Sequence, residues 1–175
     1  EYRPSVDYKG FITNRGPLPG AQLAQERKHI SDPKILAGFS IGGDAALLAG
    51  DPKGGGKWDL RVVVGAEVGP GMLDQIEKAS KNSKMVILVN LKGDINLAND
   101  SGVPSFIGNQ FGDRSYEGLV KQIGDKYGSV EQFNKQFPNI SIQPAEGSHG
   151  GAGNRRSTLD AIERGFKELS GRQQE

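Results

Sequence analysis

The sequence predicts an α/β domain in which helices cover both faces of a mostly parallel sheet, a three-layer α/β/α sandwich. Apolar segments of strand length alternate along the chain with segments of helix length. The apolar segments are continuous rather than alternating with polar residues, which is typical of strands buried on both faces. The 26 glycines among 175 residues cluster after these segments, where tight turns are expected.

The first part of the chain contains three predicted strands and two predicted helices. The strands are the apolar residues 6–13, 34–39 and 60–66, the last of which reads Leu-Arg-Val-Val-Val-Gly-Ala. A helix is predicted over residues 21–30, because Ser-Asp-Pro follows and ends it. A second helix is predicted over residues 44–50, because alanine and leucine favour helix and a glycine terminates it.

The rest of the chain continues the alternation. Helices are predicted over residues 72–80, 114–127, 129–137 and 155–169. Between them, residues 85–89 read Met-Val-Ile-Leu-Val and are the clearest strand, because the run is β-branched and uninterrupted. Residues 139–143 form the last predicted strand. In such a sheet, sites form at the carboxyl ends of the strands.

Length and composition exclude several classes of protein. A chain of 175 residues is expected to form one domain, residues 1–175. A net charge of +1 gives no support for nucleic-acid binding, and no apolar run approaches the roughly 20 residues that span a bilayer. The absence of cysteine excludes a thiolate nucleophile and a cysteine-ligated metal. With only His29 and His149 available, we expect no metal site, and since the glycine-rich segments match no nucleotide-binding motif, we expect no cofactor.

The turn after residues 34–39 has the pattern Gly-x-Ser-x-Gly, with Ser40 at its centre. Small residues at Gly38 and Gly42 let the chain turn sharply from strand into helix, which projects the serine oxygen above the sheet. N–H groups at the start of that helix favour developing negative charge. The alternative is a glycine-rich turn in which the serine merely caps the helix.

An acid and a histidine follow later predicted strands. Asp94 comes shortly after the Met-Val-Ile-Leu-Val strand, and His149 lies in a glycine-rich loop after the last strand. Glu67 is the main alternative acid because it follows the strand next to that of Ser40, and Asp100 is a weaker alternative. Asp94 as an ordinary turn residue and His149 as a solvated loop residue are the simpler interpretations.

The order Ser40, Asp94, His149, with each residue following a strand, resembles the α/β-hydrolase superfamily. The resemblance covers the chain from residue 34 onward and is carried by Gly-Phe-Ser-Ile-Gly-Gly, Lys-Gly-Asp and Gly-Ser-His-Gly. It implies that Ser40 is the nucleophile, His149 the general base and Asp94 the acid that orients the base. It also implies that the backbone N–H of Ile41 helps to hold the oxyanion.

Members of that superfamily carry more strands before the nucleophile than the 39 residues preceding Ser40 supply. The resemblance therefore implies either a shortened α/β-hydrolase fold or further strands that lie outside these 175 residues. The second oxyanion donor is then expected from the backbone N–H of Phe11 or Ile12, at the end of the first predicted strand. Residues 91–137 are expected to cover the active site and to set its specificity.

The implied reaction is hydrolysis of a small-molecule or lipid ester, as in esterases, lipases and thioesterases. An acyltransferase would use the same acyl-enzyme with another acceptor, and a catalytically silent binding module would keep only the fold. Short hydrolase domains also resemble the toxic domains of Rhs-type bacterial polymorphic toxins, which implies an immunity protein as partner. A cytoplasmic location and delivery as a secreted effector both remain open.

Overall fold

A computed structural model describes residues 34–52, 55–93, 113–147 and 154–174, with the backbone alone at Ile41 and Asn154. Two predicted elements lie outside this part of the chain. These are the strand over residues 6–13 and the helix over residues 21–30.

Strands and helices alternate through the described residues. The strands are β1 (Ile35–Phe39), β2 (Leu60–Val64), β3 (Val86–Leu91) and β4 (Ile140–Ala145). The helices are α1 (Ile41–Leu48), α2 (Met72–Lys81), α3 (Tyr116–Tyr127), α4 (Val130–Gln136) and α5 (Asn154–Arg172). Each element predicted in this part of the chain is present, with its ends shifted by a few residues. The protein therefore has a small α/β fold, as predicted.

The four strands form one parallel sheet in the order β1-β2-β3-β4. Strands that are consecutive in sequence are therefore neighbours in space. Because all four run in the same direction, their carboxyl ends lie at one edge of the sheet. The chain leaves the sheet at this edge at Ser40, Gly65, Lys92 and Glu146.

Alternate positions of the strands contribute to two separate clusters of buried side chains. In the first cluster Leu88 of β3 joins residues of α1 to α4, among them Ile76 and Phe133. In the second, Ile87 of the same strand joins residues of α5, among them Leu169. Every residue of β3 is buried, which agrees with its prediction as a strand covered on both faces.

The prediction for β3 was wrong at its end. The apolar run was expected to stop at Val89, but the strand continues through Asn90 and Leu91, and both are buried. The Asn90 side chain donates from Nδ2 to the carbonyl oxygens of Ala66, at 3.1 Å, and Arg114, at 2.8 Å. These two bonds offset part of the cost of burying the amide, whose Oδ1 is buried without a hydrogen-bond partner among the described residues.

α5 is the longest described helix, with 19 residues. It packs on β3 and β4 through its apolar side. Its outer side carries ion pairs one turn apart, such as Lys167 with Glu163 at 2.9 Å. None of the helices in the described part of the chain, α5 included, is long and apolar enough to cross a membrane.

Candidate active site

Ser40 lies between β1 and α1, at the carboxyl edge of the sheet. Its backbone has φ 55° and ψ −122°, and among the described non-glycine residues it alone has a positive φ. A serine holds such a conformation only where its surroundings prevent relaxation, and residues of this kind gather at functional sites. Residues 38–43, which make this sharp strand-to-helix connection, are referred to as the Ser40 turn.

Backbone hydrogen bonds hold Ser40 on both sides. Its N–H donates to the carbonyl oxygen of Val64 at 2.7 Å, which attaches it to the end of β2. Its own carbonyl oxygen accepts the N–H of Asp44, in the first turn of α1, at 3.0 Å. The hydroxyl makes no capping bond to α1, so the structure does not favour the interpretation of Ser40 as a simple helix cap.

Two glycines allow the Ser40 turn to close. A side chain at Gly38 would overlap the carbonyl group of Gly42, and a Cβ at Gly43 would lie 2.5 Å from the carbonyl oxygen of Val64. A Cβ at Gly42, by contrast, would meet nothing within 4 Å. The chain packs against its own backbone at Gly38 and Gly43, which only glycine permits.

α1 begins at Ile41, three residues before the predicted start, because the glycines that follow Ser40 continue the helix rather than delay it. The N–H of Ile41 is therefore in the first turn, where N–H groups have no acceptor within the helix. Such groups attract negative charge. This position fits the expected role of the Ile41 N–H as an oxyanion donor.

Glu67, the alternative acid, follows β2 between the ends of β1 and β3. Its side chain is half-buried, and its backbone N–H donates to Asp44 Oδ1 at 2.7 Å. The other candidates considered from sequence lie outside the described residues: Phe11, Ile12, His29, Asp94, Asp100 and His149.

The strand ends that precede Asp94 and His149 are adjacent. β3 and β4 pair as far as Leu91 and Ala145, and the N–H of Lys92 donates to the Ala145 carbonyl oxygen at 2.8 Å. Lys92 Nζ also lies 2.9 Å from Glu146 Oε1, and this carboxylate raises the pKa of Lys92. The two segments that lead to Asp94 and His149 therefore begin next to each other, at the ends of β3 and β4.

Sequence analysis missed an ion pair beside the Ser40 turn. Arg114 Nη2 lies 3.0 Å from Asp44 Oδ2, and Arg114 Nη1 donates to the Gly65 carbonyl oxygen at 2.8 Å. The two charged residues are 70 positions apart, so no local pattern links them. The one available signal was Asp44 itself, an acid placed four residues after the serine.

Among the described residues, the polar groups beside Ser40 at this edge include its hydroxyl, the N–H groups at the start of α1 and the ion pair of Arg114 with Asp44. Fixed N–H donors of this kind can stabilise an oxygen that becomes negative during a reaction. The described residues contain no group of three or more His, Asp or Glu side chains placed to bind a metal ion. Comparison of the chain with protein-family models, curated proteins and solved structures finds no match.

Proposed function

We propose that the protein is a serine hydrolase that cleaves ester-type bonds through an acyl-enzyme on Ser40. The observation that carries the proposal is the strained backbone of Ser40, at φ 55° and ψ −122°, between a parallel strand and the helix that follows it. A conformation of this kind costs of the order of 1–3 kcal/mol and is retained where function requires it. No such cost would be needed in an ordinary β–α turn.

In the proposed mechanism His149 takes the proton from the Ser40 hydroxyl as the oxygen attacks the ester carbonyl. The N–H groups of Ile41 and Phe11 hold the resulting oxyanion, and His149 then passes its proton to the leaving alcohol. Asp94 fixes the tautomer of the imidazole. Water, activated by the same histidine, releases the acyl group and restores Ser40.

The spacing of the strands is compatible with contact between His149 and Ser40. β4 lies three strands from β1, or roughly 14 Å at about 4.8 Å per strand. Residues 146–149 can span up to roughly 14 Å when extended, and the imidazole adds to this reach. The extended length of this segment, with the imidazole added, is thus comparable to the separation of the two strands.

The proposed fold is an α/β-hydrolase fold with three layers. Two buried clusters support the layers, since residues of α1 to α4 pack with one set of strand positions and residues of α5 with the alternate set. The elements that follow Ser40 have the order α-β-α-β-α-α-β-α, as expected for strands linked by crossover helices.

The test is covalent labelling with a fluorophosphonate probe, together with hydrolysis of p-nitrophenyl esters of increasing chain length. The wild type is expected to react with the probe and to hydrolyse some of the esters. Ser40→Ala is expected to lose both activities while keeping its fold, because it lacks only the attacking oxygen. Ser170→Ala, near the C-terminus of α5, is the matched control and should behave as wild type. Normal turnover by Ser40→Ala would overturn the proposal.

The two histidines provide a second comparison within the same test. His149→Ala should lower kcat by several orders of magnitude, as loss of a member of a catalytic triad does. His29→Ala should have little effect. The reverse result would remove His149 from the mechanism.

A further inference from the structure

A polar cluster beside the Ser40 turn joins parts of the chain that are far apart in sequence. Arg114 faces Asp44 in a two-pronged ion pair, with Nη2 3.0 Å from Oδ2 and Nη1 3.3 Å from Oδ1. The Arg114 side chain is 8% exposed and the Asp44 side chain 21% exposed. The low exposure and the two-pronged contact give this pair a defined geometry, unlike a solvated surface pair.

Each member of the pair also holds backbone groups after β2. Arg114 Nη1 donates to the Gly65 carbonyl oxygen at 2.8 Å, and Asp44 Oδ1 accepts the N–H of Glu67 at 2.7 Å. Asp44 belongs to the first turn of α1. The pair therefore fastens the first turn of α1 to the end of β2.

Arg114 is itself anchored to the end of β3. Its carbonyl oxygen accepts a hydrogen bond from Asn90 Nδ2 at 2.8 Å, and the next residue, Ser115, forms a bridge with Leu91. Asn90 and Leu91 are fully buried. The guanidinium thus extends toward Asp44 from a fixed backbone position.

The backbone hydrogen bonds of Ser40 lie beside this ion pair. Its carbonyl oxygen accepts the N–H of Asp44, and its N–H donates to Val64, immediately before the Gly65 carbonyl that Arg114 binds. Both backbone anchors of Ser40 therefore lie next to groups that Arg114 holds. A serine at φ 55° stays strained only while such anchors resist relaxation.

We propose that Arg114 and Asp44 are positioning residues for Ser40. The ion pair keeps the Ser40 turn in the geometry from which the hydroxyl attacks, and it neutralises the Asp44 carboxylate. An unpaired carboxylate in the first turn of α1 would oppose the negative oxygen that develops at the same helix end. The inference rests on the proposed function and adds residues that act on the nucleophile through the backbone.

The test measures the labelling rate with the fluorophosphonate probe, kcat and KM for a p-nitrophenyl ester, and the thermal midpoint Tm. Arg114→Met should lower the labelling rate and kcat by roughly 10–100-fold with little change in KM, because a displaced nucleophile reacts slowly while substrate still binds. Arg114→Lys should give an intermediate kcat, since lysine keeps the charge but not the planar fork.

The double variant Asp44→Asn with Arg114→Met separates charge from structure. It should regain part of the kcat lost in Arg114→Met, because no uncompensated carboxylate remains, although its Tm stays below that of the wild type. The control is Lys121→Met, which removes a cation from the exposed pair of Lys121 and Asp125 and should leave kcat and Tm unchanged.

A purely structural ion pair would lower Tm and leave kcat per folded molecule unchanged, and this result would overturn the inference. If Arg114→Met does not fold, the same comparison of kcat and labelling rate with Tm is made on Arg114→Lys and Asp44→Asn. A wild-type labelling rate in folded Arg114→Met would overturn this inference alone. Absence of labelling in the wild-type protein would overturn the proposed function together with it.

Discussion

Gly38 and Gly43 are the positions in the Ser40 turn where backbone packs on backbone. At Gly38 the obstacle to a side chain is the carbonyl group of Gly42, and at Gly43 it is the carbonyl oxygen of Val64. Neither obstacle is the end of a flexible side chain, so neither can move without disturbing a helix or a strand. The close packing at these two glycines therefore fixes the shape of the turn.

Gly38→Ala is expected to destabilise the protein by about 1–3 kcal/mol, the range for forcing extra atoms into a packed site. It should also reduce labelling of Ser40, because relief of the overlap displaces the turn. Gly42→Ala is the matched control. Its Cβ meets nothing within 4 Å, and alanine favours helix, so its free energy of unfolding should equal or exceed that of wild type. Urea denaturation measures both variants, and equal stability in the two would contradict the argument.

The sequence motif predicted the position of the Ser40 turn but not all of the positions at which the turn requires glycine. Gly-x-Ser-x-Gly includes Gly42, where the structure has room for a side chain. Gly43, where there is no room, belongs only to the longer segment Gly-Phe-Ser-Ile-Gly-Gly that carries the resemblance. The difference arises because Gly43 packs on Val64, a residue of the neighbouring strand. A local pattern contains no information about which strand lies alongside.

Among the strands and helices, Arg61 of β2 departs most clearly from the predicted pattern of continuous apolar strands. It lies in an apolar strand, is fully buried, and donates from Nη1 to the carbonyl oxygens of Ala46, at 2.7 Å, and Ala49, at 2.7 Å. Its Nε donates to Ser83 Oγ at 2.9 Å. Burial lowers the pKa of Arg61 to about 10. The guanidinium thus satisfies carbonyl groups at the end of α1 that the helix itself leaves without donors.

Arg61→Met is expected to lower the free energy of unfolding by about 3 kcal/mol, because the helix-end carbonyl groups would then be buried without donors. Arg156→Met is the control. Arg156 is a largely exposed arginine of α5 paired with Asp160, and its loss should cost less than about 0.5 kcal/mol. Chemical denaturation of the two variants tests this, and similar losses in both would show that Arg61 does not stabilise α1.

The strands and helices themselves were predictable because each depends on residues close together in sequence. Continuous apolar runs identified β2 and β3, and helical spacing identified α2 and α5. Asn90 and Arg61 were not predictable as buried residues, since their hydrogen-bond partners come from other elements. A polar residue in a strand gives no sign of whether distant groups will satisfy it.

At the scale of the whole molecule, the strand order arranges the candidate residues along one edge. Ser40 follows β1, Glu67 follows β2, and the segments leading to Asp94 and His149 leave from β3 and β4. The sequence predicted that the strand before Glu67 lies next to the strand before Ser40, and the sheet confirms this. The ion pair of Lys92 with Glu146 was not predictable from the sequence. It links the first residues after β3 and β4.

This arrangement favours Asp94 over Glu67 as the acid that orients His149. β3 neighbours β4 directly, whereas β2 is separated from β4 by β3. Lys92, two residues before Asp94, donates its N–H to the last residue of β4.

Asp94→Asn should therefore lower kcat by up to about 10⁴-fold, because the amide favours the wrong imidazole tautomer. Glu67→Gln should lower kcat less than about tenfold, since the Glu67 contact with Asp44 is made by its backbone N–H and survives the change. Steady-state kinetics on one ester measures both variants, with the fluorophosphonate labelling rate showing whether Ser40 itself has lost reactivity. A larger loss in Glu67→Gln than in Asp94→Asn would assign the acid to Glu67, at the end of β2.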